Sequence, residues 1–335
     1  MPKKVTIANV AREAGVSMMT VSRAINNKEG ISEETRERIL AIANSIGYRP
    51  SGVARALVTS RSCSVGLMMP DVANPFFSQI ARGAEDVAYT AGYNIFLVNT
   101  DEDIQREKAV LESLLEKQVD GVILCSPRLD EQRLEEYIQR FQHTVLINQK
   151  LDIPSSKYAM INVDDKYGAQ IATEYFIQNG HTKIGFVAGP EESASGQRRL
   201  SGYKNGLAKL NNEYDPLNVI HCTPDTDGGY QAATELLKRK ENISSILAYN
   251  DLVALGVMKA CETLERNIPE DIAVIGADDI PLASFIKPTL STLRINKREL
   301  GQQAMANLAN MIEEEKTIDK ELTIQPELVL RESTL

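Results

Sequence analysis

The chain has 335 residues, of which 43% are apolar and 25% charged, an ordinary composition for a globular protein with more than one buried core. No apolar segment follows the basic N-terminus and no apolar run approaches the length of a membrane span, so we expect no secretory signal and predict a cytoplasmic protein with no membrane partner. The four cysteines form no CxxC pair and the three histidines are far apart, so we expect free thiols, no metal site and no cofactor.

The charge is divided unevenly along the chain. Residues 1–62 hold ten Lys and Arg against five Asp and Glu and so carry +5, which leaves −14 on the remainder of a chain whose net charge is −9. A basic head on an acidic body is typical of a small nucleic-acid-binding module joined to a domain of another kind.

Three helix patterns follow one another between residues 6 and 47. Thr6, Ser17 and Ser32 can each cap the start of one, and Gly15 lies in the first connection, where a tight turn needs a positive φ. The apolar positions expected to face inward are Ile7, Val10, Ala11 and Ala14, then Val21 with Ala24 or Ile25, then Ile39 with Ile42 or Ala43, and Ile46. Two short helices joined by a glycine-containing turn predict a helix-turn-helix, with a three-helix bundle of another role as the alternative.

The outward face of the second helix favours DNA binding. It presents Met18, Met19, Ser22, Arg23 and Asn26. Arg can bind the major-groove edge of guanine, and Asn or Ser can bind bases or phosphates. A face that only meets solvent would more often carry Glu and Lys.

Four motifs of the head closely resemble those of the lactose/galactose-repressor (LacI/GalR) family: TIANVA at residues 6–11, AGVS at 14–17, TVSRAIN at 20–26 and GYRP at 47–50. The resemblance implies that residues 17–26 enter the major groove and that the two methionines help to choose the operator, where apolar contact with thymine methyl groups suits them. The head residues that we expect to contact DNA are Thr6, Ser17, Met18, Met19, Thr20, Ser22, Arg23 and Asn26.

Residues 50–61 form a short connection with an apolar side, and Gly52 weakens any helix there. From length alone it reads as a passive linker. The family resemblance implies instead a hinge that folds when two copies meet on the operator, with Arg55 at the DNA and Leu57 wedged into the minor groove.

From residue 64 short apolar runs alternate with helical patterns. We predict strands at residues 65–69, 95–98, 122–125, 145–148, 184–188, 246–249 and 273–276, and helices at residues 77–91, 106–117, 167–179, 252–264 and 298–314. This alternation predicts an α/β fold with two lobes of parallel sheet covered by helices. Ligands of such sheets lie beyond the carboxyl ends of the strands.

Enzymes share this architecture, but their motifs are missing from the chain. Residues 189–196 are not a P-loop because no Lys-Ser or Lys-Thr follows, no GxGxxG follows the first strand, and GxSxG is absent. The acidic pairs at residues 164–165 and 278–279 are more typical of helix caps or hydroxyl binding. We therefore expect no enzymatic activity and no catalytic residue.

Six core motifs extend the resemblance to the same family and to periplasmic sugar-binding proteins: PDVANPFF at residues 70–77, KQVDG at 117–121, GP at 189–190, RLSGY at 199–203, ND at 250–251 and GADD at 276–279. The resemblance implies a two-lobed periplasmic-binding-protein-like core after a small all-α head, with the chain crossing between lobes near residues 162, 292 and 322. The expected domains are a head at 1–49, a hinge at 50–61, a first lobe at 62–162 with 293–322, and a second lobe at 163–292 with 323–335.

The effector contacts that the resemblance implies are Phe76, Phe77, Asn148, Asp164, Ser193, Ser195, Arg199, Asn250 and Asp278. Aromatic rings cover the C–H side of a sugar, and Arg and Asp bind its hydroxyls, so the residue types suit a neutral polyol. Each residue has an alternative role: the two Phe as core, Arg199 in a surface ion pair, Asp278 as a helix cap. Residues 148–150 depart from the pattern expected there, which leaves the sugar open.

We therefore predict a dimeric, allosteric transcriptional repressor that binds a pseudo-palindromic operator in double-stranded DNA. No heptad tail follows the last apolar run, so we expect dimers rather than tetramers. The rival interpretations are a periplasmic solute receptor and a sugar-converting enzyme. Within the family, two alternatives stay open: a partner protein could act as co-effector, and the effector could release the operator or promote binding.

Overall fold

The computed structural model describes residues 5–49, 61–151, 157–240, 242–313 and 320–335, in two compact units that divide after Cys63. No helix within those ranges combines the length and the apolar character that crossing a bilayer requires. The hinge residues Arg55 and Leu57 lie outside the described ranges.

The first unit contains three helices, α1 (Ile7–Ala14), α2 (Met18–Ile25) and α3 (Glu33–Ser45). Gly15 ends α1 with φ of +66°, and the Ser17 hydroxyl accepts the Thr20 N–H at 3.1 Å to begin α2. Where the apolar pattern allowed two residues, the smaller one is buried: Ala24 and Ala43 are buried, while their neighbours Ile25 and Ile42 are only half-buried. Small side chains at these positions let three short helices pack closely.

The first lobe of the second unit is built on a parallel sheet. Its strands are β1 (Ser64–Met69), β2 (Asn94–Asn99), β3 (Gly121–Cys125), β4 (Thr144–Ile147), β5 (Tyr158–Val163) and β11 (Glu321–Ile324), in the order β11-β5-β4-β3-β1-β2. Its helices are α4 (Pro75–Ala91), α5 (Ile104–Glu116), α6 (Glu131–Arg140) and α11 (Lys297–Ile312). Apolar side chains of both sheet faces form two buried clusters, one against α4 and α11 and one against α5 and α6.

The second lobe repeats the plan. Its strands are β6 (Ile184–Ala188), β7 (Val219–His221), β8 (Ser245–Ala248), β9 (Ala273–Asp278), β10 (Ser291–Arg294) and β12 (Glu327–Val329), in the order β12-β10-β9-β8-β6-β7. Among the strand pairs of this lobe in the described ranges, only the β10–β12 pair is antiparallel. Its helices are α7 (Asp165–Gln178), α8 (Ala194–Lys209), α9 (Thr226–Arg239) and α10 (Asp251–Thr263).

The chain passes from the first sheet to the second after Val163, returns after Arg294, and passes again after Ile324. The predicted fold class, a helical head followed by two α/β lobes, is confirmed. Because both sheets are almost wholly parallel, the carboxyl ends of neighbouring strands gather at one edge of each lobe.

Candidate functional site

A cavity of about 290 Å³ lies between the strand ends of the two lobes. The first lobe contributes Asp71, Asn74, Phe76, Phe77, Asp101, Glu102, Ser126, Arg128 and Asn148. The second lobe contributes Ser195, Arg199, Thr223, Pro224, Asp225, Tyr249, Asn250 and Asp278. The volume is at the lower end of the ~300–1,000 Å³ typical of small-molecule sites, which suits a ligand of monosaccharide size.

Seven of the nine predicted effector residues line this cavity: Phe76, Phe77, Asn148, Ser195, Arg199, Asn250 and Asp278. The structure places the other two outside its lining. Asp164 accepts the Tyr167 N–H at 3.0 Å and caps α7. Ser193 is fully buried, caps α8, and reaches the cavity only through the hydroxyl of Tyr249 at 2.9 Å.

Arg199 is the centre of a buried charge cluster. Its Nε donates to Asp165 Oδ1 at 3.0 Å, its Nη2 is 2.9 Å from the same carboxylate and 3.7 Å from Asp278, and its Nη1 donates to the Tyr249 carbonyl. The guanidinium also lies 4.8 Å from the centre of the Tyr249 ring. Burial alone would lower the pKa of Arg199, but the charges of Asp165 and Asp278 raise it. The surface ion pair considered as an alternative is therefore a buried one.

Of the two acidic pairs, 164–165 and 278–279, the first differs from the prediction in which acid faces the buried cluster. Asp165, not Asp164, is the buried carboxylate of its pair, and it accepts from both Arg198 and Arg199. In the second pair Asp278 lines the cavity, while Asp279 binds Arg294 and Arg331. Since adjacent residues at a strand end point in different directions, one acid of each pair faces Arg199 and the other caps a helix or anchors the chain.

Burial raises the pKa of Asp278 to about 7, against the pull of the Arg199 and Lys297 cations. Asp251 lies behind it, and burial together with Asp278 raises its pKa well above the usual range. The Asp251 carboxylate accepts the Thr292 hydroxyl at 2.6 Å and the Ile280 N–H at 2.8 Å. Asp278 is thus a carboxyl group that changes charge near neutrality.

Arg128 is a second buried arginine of the cavity, and the sequence analysis missed it. Its Nε and Nη2 donate to Glu102 at 2.6 and 3.1 Å, and its Nη1 donates to the Ser126 carbonyl at 2.9 Å. Its backbone N–H binds Glu107 at 2.8 Å. Residues 126–128 directly follow a predicted strand, so the strand-end rule was the signal that could have found them.

Several cavity residues have a strained backbone. Ser126, Asn148 and Asp278 directly follow or end a strand and have φ of +48°, +60° and +108°. Positive φ is costly for any side chain with a Cβ and tends to occur at functional sites. The strain turns the side chains at the ends of β3, β4 and β9 toward the cavity.

Aromatic and amide groups complete the lining. Phe76 and Phe77 stand edge to face, with ring centres 5.0 Å apart, and both belong to the core of the first lobe as well as to the cavity. Asn250 accepts the Val253 N–H at 2.8 Å and donates to the Pro224 carbonyl at 3.1 Å. Within the described ranges, no group of three His, Cys, Asp or Glu side chains is arranged to hold a metal ion.

The predicted DNA-reading face is open to solvent in the first unit. Met18 and Met19 are 56% and 67% exposed, Thr6, Ser17, Arg23 and Asn26 are exposed, and Thr20 and Ser22 are half-exposed. The Asn26 amide donates to the Ser22 carbonyl at 2.8 Å. Two exposed methionines side by side on one short helix have no packing role in this unit, which leaves them available for contact with another molecule.

Two family models match the chain. One, for periplasmic binding proteins and the sugar binding domain of the LacI family, matches residues 62–332, and one for bacterial regulatory proteins of the lacI family matches residues 6–51. The chain is 34% identical to the ribose operon repressor of Halalkalibacterium halodurans, over 98% of this chain and 97% of that protein. It is also 34% identical to the transcriptional regulator GalR of Escherichia coli, over 98% and 95% of the two chains.

Solved structures give the same result. The lac repressor dimer bound to operator and the anti-inducer ONPF superposes with a TM-score of 0.86 and 26% identity, over 99% of this chain and 100% of that one. A LacI family transcriptional regulator from Enterococcus faecium with bound ribose superposes with a TM-score of 0.71 and 29% identity, over 81% and 99%. The similarity therefore covers the head and the core together.

Proposed function

The chain belongs to the LacI family of bacterial regulatory proteins, and on that basis we propose that it is a dimeric transcriptional repressor whose affinity for operator DNA is set by a small sugar bound between the lobes of its core. The observation that carries the proposal is the cavity, because both lobes line it. A ligand held there touches both lobes at once and stabilises one relative arrangement of them.

The chemistry of the lining suits a sugar. Phe76, Phe77 and Tyr249 offer ring faces and edges to C–H groups, and the buried Asn148, Asn250 and Ser126 offer amide and hydroxyl groups to sugar hydroxyls at fixed positions. Similar proteins point the same way, since one is a ribose operon repressor and another was solved with bound ribose. D-Ribose is therefore the first sugar to test.

We propose that the head at residues 1–49 reads a pseudo-palindrome, one half-site for each protomer, through Ser17, Met18, Met19, Arg23 and their exposed neighbours. Residues 50–61, including Arg55 and Leu57, would join this surface as a hinge. The proposed lobes are residues 62–162 with 293–322, and 163–292 with 323–335. This regulator acts in the cytoplasm and catalyses no reaction in our proposal.

The decisive experiment measures the coupling between the two sites. Sugars that raise the melting temperature of the full-length protein are identified first, beginning with D-ribose, and an operator is selected from random duplex DNA. We expect the sugar to change operator affinity by about 5–150-fold and the operator to change sugar affinity by the same factor, because linkage is reciprocal. A sugar that binds in the cavity and leaves operator affinity unchanged would remove the regulatory function that we propose.

The effector affinity should also depend on pH through Asp278. Sugar hydroxyls donate to the carboxylate, so the sugar prefers the ionised form and must displace a proton below the pKa of about 7. We expect the dissociation constant to rise about tenfold from pH 8 to pH 6, measured by calorimetry. Asp278→Asn should flatten this profile, and an equally flat profile in the wild type would show that Asp278 does not accept from the ligand.

A further inference from the structure

The two arginines of the cavity are already neutralised by carboxylates of the protein. Arg128 donates two N–H groups to Glu102, at 2.6 and 3.1 Å, and Arg199 holds Asp165 through Nε and Nη2 with Asp278 at 3.7 Å. The third nitrogen of each guanidinium donates to a backbone carbonyl. An anionic ligand needs a guanidinium fork that is free to accept it, and both forks are occupied.

Three helix starts at the cavity already use a backbone N–H group to bind a side chain of the protein. A free helix N-terminus binds phosphate through its backbone N–H groups, but these three helices are capped by cavity residues. Asn74 accepts the Phe76 N–H at 2.9 Å, Asp225 accepts the Gly228 N–H at 2.7 Å, and Asn250 accepts the Val253 N–H at 2.8 Å. One of the caps is itself a carboxylate, which repels a second negative charge.

Two cavity carboxylates make no ion pair among the residues that the structure describes. Asp71 accepts the Ala73 N–H at 2.8 Å, and Asp225 accepts the Gly228 N–H at 2.7 Å and the Thr223 hydroxyl at 3.3 Å, so the groups that hold these two carboxylates are uncharged. They stand on opposite lobes. With both arginines neutralised, these two groups give the cavity an excess of negative charge.

We infer that the effector is a sugar without an anionic group, and that the cavity rejects the phosphorylated and carboxylated forms of the same sugar. A phosphate or carboxylate placed here would either meet the charges of Asp71 and Asp225 or have to break the Arg128–Glu102 or Arg199–Asp165 ion pair to reach a guanidinium. The inference rests on the proposed function, since it concerns the effector of the same cavity. It adds to the residue types, which already suit a neutral polyol, a structural reason why charged forms of the sugar are rejected.

The test titrates the full-length protein with matched pairs at constant ionic strength: D-ribose with D-ribose 5-phosphate, D-glucose with D-glucose 6-phosphate and D-gluconate, and D-galactose with D-galactose 1-phosphate. For any sugar that binds, we expect the anionic form to bind at least about 100-fold more weakly. A phosphate ester or sugar acid that binds as tightly as its parent sugar would overturn the inference. It would leave the proposed function standing, because that function fails only when a bound ligand does not change operator affinity.

A gain of affinity tests the cause. Glu102→Gln removes the negative charge that neutralises Arg128 and one of its two acceptor oxygens, so the affinity for the phosphate ester of the bound sugar should rise about tenfold. The matched control is Glu112→Gln, which removes the charge from the bidentate pair with Arg140 at 2.5 and 2.6 Å on the same lobe, where neither residue lines the cavity. Equal behaviour of the two variants would contradict the role of Arg128.

A second test of the charge selection leaves the Arg128–Glu102 ion pair intact. Asp225→Asn keeps a capping side chain and removes one negative charge, so it should narrow the difference between sugar and phosphate ester by a few-fold. An unchanged difference in this variant would show that the carboxylates of the cavity do not select against anions.

Discussion

Replacing Arg199 with alanine should lower the free energy of unfolding of the core by about 3 kcal/mol at pH 8, in addition to removing the response to the effector. The side chains of Asp165 and Asp278 are 1% and 8% exposed, and both face the Arg199 guanidinium. Breaking a buried ion pair typically costs 3–5 kcal/mol, and we expect about the lower limit because Arg198 remains on Asp165 at 2.7 Å.

Urea unfolding followed by circular dichroism measures this loss. The control is Arg298→Ala, which removes a pair with Asp86 at 2.7 Å whose side chains are 51% and 28% exposed, and which should cost less than about 1 kcal/mol. The Arg199→Ala loss should shrink from pH 8 to pH 6, because Asp278, with a pKa of about 7, can then take a proton. A loss no larger than that of the control would mean that Arg199 serves the ligand alone.

The strand-helix alternation predicted the lobes because buried parallel strands are continuous apolar runs, as in residues 122–125 and 184–188. Strand β10 escaped that criterion. Its Ser291 and Thr292 are buried polar residues, and their hydrogen bonds to Ser333 and Asp251 come from segments about 40 residues away in sequence. A polar strand whose partners are this distant has no local signal.

The sequence predicted which types of residue form the site better than it predicted how their side chains are arranged. Strand ends and family motifs placed Asn148, Arg199 and Asp278 at the cavity, yet nothing in the sequence distinguished Asp164 from Asp165. Which of two adjacent acids faces inward depends on where the helix begins, and helix boundaries are fixed by packing. The strand-end rule could place Arg128 near the site but could not show that it pairs with Glu102, which follows a different strand.

The second large effect that we expect is a loss of operator affinity on substitution of a residue in the head. Arg23→Ala should weaken binding to the selected operator by about 1–3 kcal/mol for each half-site and change binding to random duplex DNA much less. Arg23 is exposed on α2 beside Gly30, on the same face as the two methionines, so its guanidinium is free to form a bidentate pair with guanine. Because both protomers of a dimer use the same residue, each dimer loses two such contacts, one in each half-site.

Fluorescence anisotropy with operator and scrambled duplexes at one salt concentration separates base-specific binding from non-specific electrostatic binding. The matched control is Arg38→Ala. Arg38 is exposed on α3 and lies outside the predicted reading face, so its loss should weaken binding to both duplexes slightly and to the same degree. When the guanine that Arg23 contacts is replaced by another base in both half-sites, the operator should bind wild type and Arg23→Ala with similar affinity, since the contact is then already lost. If Arg23→Ala instead weakened binding to operator and to scrambled DNA by the same factor, and reduced the salt dependence of binding, Arg23 would be a phosphate contact. The choice of operator would then rest on Met18 and Met19.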